Sequence, residues 1–136
     1  MSPETKDLLK TTWAMIAPTS DIAAGVFYER LFTLDPSLRP MFVGTDMKEQ
    51  RRKLMQAIAT VINGVDSLES LLPTLEQLGR NHAQYGVIDR HYDTVAAALL
   101  WTLEQGLKEA WTPAAKFAWT EAYTTIASVM RAPLSR

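Results

Sequence analysis

With 136 residues, 47% of them hydrophobic, the chain can bury about two thirds of the surface its unfolded form exposes, so a core needs no covalent staples. It has no cysteine, which excludes disulfides, thiolate metal sites and a cysteine nucleophile. The formal net charge of -1 argues against a nucleic-acid footprint or a polybasic membrane patch, and no apolar run approaches bilayer-spanning length. The polar opening MSPETKDLLK is unlike a signal peptide, so the expectation is one cytoplasmic domain over 1–136 with no nucleic-acid partner and no membrane span.

Ser2, Pro3 and Glu4 make a helix start: a capping hydroxyl, a proline at the first helical position and an acid near the positive end of the dipole. Leu9, Trp13 and Ile16 mark its buried face, and Pro18 stops it. Ser20 or Asp21 is expected to cap a second helix to about Leu34, with Ile22, Val26, Phe27, Leu31 and Phe32 spread over a wide apolar arc. Tyr28 lies on one stripe with Gly25 and Phe32, where the glycine allows a close helix approach. Asp35, Pro36 and Ser37 repeat the cap-plus-proline start, but Pro40 limits this to a short helix before Met41 and Phe42. Asp46 with Glu49 three residues later reads as a capping box opening a long helix. Its face is Gln50, Leu54, Ile58 and Val61, so Gln50 stands as the polar residue at the entrance of an apolar stripe, and Gly64 and Asp66 end the helix.

The next stretch, LLPTLEQLGRNHAQYGVIDRHY from Leu71 to Tyr92, puts Leu71, Leu75, Leu78 and His82 on one face, with Pro73 in or near the first turns. Gly86 then ends the helix and Asp89 is expected to cap the following one. His82 by itself is either a core-edge histidine bonded to a carbonyl or a ligand. Tyr28, Phe42 and Gln50 are likewise open between packing or solvated residues and a site. From Asp89 to about Lys108 a helix carries Tyr92, Val95, Leu99, Leu103 and Leu107 inward. Thr112 and Pro113 start the last helix, whose face is Trp119, Ala122, Tyr123, Ile126, Val129 and Met130 and which Pro133 stops. No strand alternation, phosphate loop or internal repeat appears, so the fold class is all-α, with about six longer helices and one short one.

FYERLF (27–32), DPSLRPMF (35–42), QRRKL (50–54), LGRNHAQYGV (78–87) and HY (91–92), in this order and at these separations, resemble the globin family. The resemblance covers essentially the whole chain and is nearest to single-domain bacterial haemoglobins and the haem domain of flavohaemoglobins. It implies a globin fold, a three-over-three sandwich of six to seven helices around one haem b. His82 would be the proximal iron ligand. Phe42, Leu54, Leu78, Val87 and Tyr92 would also contact the cofactor, and Tyr28, Gln50 and Leu54 would form the distal pocket. Neutral imidazole suits haem iron, and one protein ligand leaves a position for a diatomic gas. Tyr28 and the Gln50 amide are both hydrogen-bond donors. His91 follows His82 across the corner and is not expected to reach the distal side; Met47, Met55 and Lys48 are poor candidates for a sixth ligand. Lys53, Arg80 and His91 are candidates for pairing with haem propionates.

The family's proximal glutamate has no counterpart: its register falls near Leu134, after Pro133, while the accompanying tyrosine is present as Tyr92. The carbonyls around Leu78 are then the expected acceptors for the His82 ring N–H, and the weak proximal push argues against peroxidase-like chemistry. The chain ends at Arg136 without the family's flavin domain, so turnover would need a separate reductase. The primary reading is reversible binding of O2, and of CO and NO, for transport or scavenging. Nitric oxide dioxygenation is the alternative, and gas sensing a third.

Overall fold

In a computed structural model, which describes residues 1–135, side-chain caps open three of the six α-helices and one 3-10 helix. Ser2 accepts a bond from the Thr5 N–H and Pro3 opens α1, Pro3–Ile16. Asp35 accepts from the Ser37 N–H at the head of a 3-10 helix, Pro36–Phe42. Asp46 accepts from Lys48 and Glu49 at the head of α3, Met47–Asn63. Thr112 accepts from Ala115 at the head of α6, Pro113–Met130. Between them lie α2, Ser20–Leu34, α4, Leu72–Gln84, and α5, Asp89–Leu107. Among the described residues there is no strand and no helix long and apolar enough to cross a membrane.

Packing divides the interior into two clusters. Leu9 and Ile16 of α1, Ile62 of α3, Leu103 and Leu107 of α5 and Trp119 of α6 form one. Within it the Trp119 indole N–H donates to the Thr12 hydroxyl at 2.8 Å, and that hydroxyl donates to the Leu8 carbonyl at 2.6 Å, so no polar atom of the pair is left bare. The second cluster joins Phe27, Tyr28, Leu31 and Phe32 of α2, Leu38 of the 3-10 helix and Ala98 of α5. The helices pack chiefly as α2 on α5, α1 on α6, α2 on α3 and α4 on α6. Thus α3 leans on α2 and α1, whereas α4 leans on α6 and its flanking 3-10 helices. On α3 the residues Gln50, Leu54, Ile58 and Val61, and on α4 Leu78 and His82, are only half covered by the chain.

Several expectations are corrected by tertiary context. Neither Ser20 nor Asp21 caps α2: its cap position is Thr19, without a side-chain bond. Ile22 is not on the apolar arc but 68% exposed. Gly25 is not a close-approach point, since a methyl there would meet only Arg51 Cδ at 3.9 Å. Only half of the capping box forms, because Glu49 turns to Arg52. The residues α3 buries fully are Met55 and Ile62, not the Gln50 stripe. Leu71 belongs to a separate 3-10 helix, Val65–Leu71, and Pro73 sits in the first turn of α4. Asp89 is not the cap of α5; that position is Ile88, whose N–H donates to His91 Nδ1 at 3.1 Å.

Candidate functional site

One half of the site is built on α2. Burial leaves Tyr28 7% exposed, with its ring edge-on to Phe27 and Phe42 at centroid separations of 5.0 and 5.6 Å. Phe42, at the end of the two-proline helix, also stacks edge-on against Phe32 at 5.4 Å. Aromatic pairs in this geometry contribute roughly 0.5–1.5 kcal/mol beyond their buried area, which fixes the Tyr28 ring. From the first turn of α3, Gln50 Nε2 donates to the Tyr28 hydroxyl oxygen at 3.1 Å. The phenol therefore accepts from the amide and keeps its own proton free to donate elsewhere. Burial raises the Tyr28 pKa and the Gln50 bond offsets this in part, so the group stays protonated through the ordinary tyrosine range. Leu54, one turn after Gln50, packs on the same cluster together with Met47, Val95 and Leu99.

The other half is on α4 and the corner that follows. His82 Nδ1 lies 2.7 Å from the Leu78 carbonyl oxygen. A carbonyl only accepts, so Nδ1 carries the proton and Nε2 keeps a lone pair for a ligand. Gly86 at φ +92 takes the left-handed turn that reverses the chain, and the Val87 N–H donates back to the His82 carbonyl at 3.0 Å. Tyr92, 6% exposed, lies at the start of α5. Its carbonyl accepts from the Tyr123 hydroxyl at 2.6 Å, and the Arg131 guanidinium sits 4.9 Å from its ring centre.

The structure thus joins Tyr28, Phe42, Gln50 and Leu54 in one cluster and Leu78, His82 and Val87 in another. Tyr92 is tied to α6; among the described residues no hydrogen bond links it to His82. His91 is not a free propionate partner: it is buried and its Nδ1 caps α5. Lys53 is exposed, and Arg80 donates to Gln77 at 2.8 Å. Sequence reasoning missed Arg131, which reaches Asp89 at 3.2 Å and Asp93 at 3.4 Å and so clamps the end of α6 to the start of α5. A base at the C-cap of the last helix was the available signal. It also missed Gly79, where a Cβ would stand 2.3 Å from the Met130 carbonyl oxygen.

The family model described as Globin matches residues 25–130. This chain belongs to the globin family. The helical architecture above is the globin fold, and globin domains bind haem and, on it, diatomic gases. The residues present fit such a group. Among the described residues no three His, Cys, Asp or Glu come together to hold a bare metal ion. A lone imidazole nitrogen instead suits an iron whose remaining bonds come from a macrocycle, and the half-covered apolar faces of α3 and α4 suit a flat apolar partner. This globin is 31% identical to a flavohemoprotein of Bacillus subtilis (strain 168) over 91% of its length, and 29% identical to one of Vibrio cholerae over 95%. It spans about a third of those proteins, 32% and 33% of their lengths. It is also 28% identical to a protein of Oryza sativa subsp. indica named anaerobic nitrite reductase NSHB5, over 96% of this chain and 94% of that one.

Proposed function

We propose that residues 1–136 act as one globin unit that holds haem b through His82 and reversibly binds O2, and also CO and NO. When bound, haem supplies an iron with one position open to a diatomic gas. The observation that carries the reading is the hydrogen bond from Gln50 to Tyr28, because it leaves the buried Tyr28 proton available to a ligand. O2 takes on negative charge when it binds, and a donor bond to a charged acceptor is worth about 1.5–3 kcal/mol. Tyr28 gives that bond, Gln50 orients the phenol, and Leu54 and Phe42 keep water out. On the other side the Leu78 carbonyl holds the His82 ring and its tautomer, a weaker electronic push than a carboxylate gives.

Tyr28→Phe together with Gln50→Leu should speed O2 dissociation by about ten- to a hundred-fold while changing CO dissociation far less, since CO takes less charge. Stopped-flow displacement measures both, and equal changes in the two would refute polar stabilisation. His82→Ala should lose haem on gel filtration and with it the stability that a native-state ligand confers.

A second reading is nitric oxide dioxygenation, in which O2, NO and one electron give nitrate. It is favoured by the likeness to flavohemoproteins, whose name joins a flavin to haem, and it requires a source of electrons for the iron. Steady NO consumption with an added reductase selects it; slow O2 release without turnover selects the carrier.

A further inference from the structure

Between α3 and the corner where α1 passes into α2 lies an open cavity of about 320 Å³. That is within the size range of small-molecule pockets. Its floor is apolar, made by the buried Met55 and the half-buried Ala59, the half-buried Trp13 gives an aromatic wall, and the exposed Ala17, Arg52 and Gln56 stand at its edge. The rim is different in kind. Arg51 is half-buried, with a side chain 30% exposed, and its Nε lies 3.6 Å from the Asp21 carboxylate, too far for a hydrogen bond. Among the described residues the Arg51 guanidinium and the Ser20 hydroxyl, which also lines the rim, donate no hydrogen bond. Asp21 itself is 81% exposed, a carboxylate turned to water at the edge. A guanidinium is weakly hydrated and presents two parallel N–H groups, the match of a carboxylate.

We propose that this corner cavity binds a small organic carboxylate with an apolar body, the carboxylate on Arg51 and Ser20 and the body on Trp13, Met55 and Ala59. The ligand replaces Asp21 beside Arg51. It prevails over that side chain because it also covers the apolar floor, which Asp21 does not reach. The site is separate from the haem pocket: Arg51 and Met55 each follow Gln50 and Leu54 by one residue, about 100° further round α3, and line the cavity, whereas Leu54 packs on the Tyr28 cluster.

The test is calorimetric titration of the CO-saturated holoprotein with phenylbutyrate and with its uncharged counterpart phenylbutanol, the Soret band being followed in parallel. Saturable binding of the acid is expected, weakened about tenfold or more by Arg51→Gln and by use of the alcohol, as loss of a charge-assisted pair requires. Ala59→Leu, which fills the floor, should abolish it, and the Soret band should not move. Arg51→Gln keeps the test decisive if the filled variant folds poorly. Absence of saturable binding, equal affinity for acid and alcohol, an unchanged affinity in Arg51→Gln, or a Soret shift that tracks occupancy would each overturn the proposal.

Discussion

The proton on Tyr28 is the smallest unit on which the proposed chemistry turns. Burial raises its pKa above the ordinary value of 10.0, so the hydroxyl remains a donor at any pH up to that point. The O2 dissociation rate should accordingly be flat from neutral pH to about 10 and rise only when the phenol ionises; a pH series of stopped-flow traces checks this. Thr12 offers a purely structural counterpart. Thr12→Val keeps the shape but strands the Trp119 indole N–H in the core, and should cost about 1–3 kcal/mol in urea unfolding. Of these two residues Tyr28 was legible in the sequence, since it lies in a family motif and on a helix stripe. Thr12 was not: its partner is 107 positions away, and nothing local distinguishes a threonine that must accept from one that merely packs.

At the scale of elements, the caps written into the sequence as Ser2, Asp35, Asp46 and Thr112 were readable because a capping bond spans two or three residues. Thr112→Ala should therefore lower stability by about 1 kcal/mol, seen as a shift in the unfolding midpoint. The misreadings lie where a neighbour decides. Ile22 is apolar yet exposed, because no helix covers that side of α2. Asp89 looks like a cap, but the histidine at 91 accepts the Ile88 N–H first. Gly79 carried no signal along the chain, yet it is the place where α4 meets the backbone of α6. Gly79→Ala would force Met130 backbone and α4 apart by a sizeable fraction of an ångström or more. The expected result is faster haem loss to an apomyoglobin acceptor, because His82 rides on the displaced helix, with less change in far-UV helicity.

For the molecule as a whole, three tyrosines set the alkaline limit. Tyr28, Tyr92 and Tyr123 all have pKa values raised chiefly by burial. Above about pH 10 the unfolded chain releases these protons while the folded one holds them, so the unfolded state binds fewer protons and stability falls as pH rises. Thermal midpoints should drop steeply above pH 10, and Tyr123→Phe should blunt the drop. The all-α class and the segregation of Tyr28, Gln50 and His82 onto different helices followed from periodicity and motif spacing. The division of the interior into two clusters, and the half-covered faces of α3 and α4, depend on how helices cross and could not be read along the chain.

The way α4 is held has a bearing on the life history of the protein. It rests on α6 and on its own flanking turns rather than on α1, α2 or α5. On this account α4 should be the last segment to settle and the first to detach. Its amides should exchange with solvent ahead of those of α2 and α5 in the haem-free protein, and slow most when haem is added. With haem held through His82 as proposed, its escape and the peeling of α4 would be a single event, and its residence time would be governed by the α4–α6 seam.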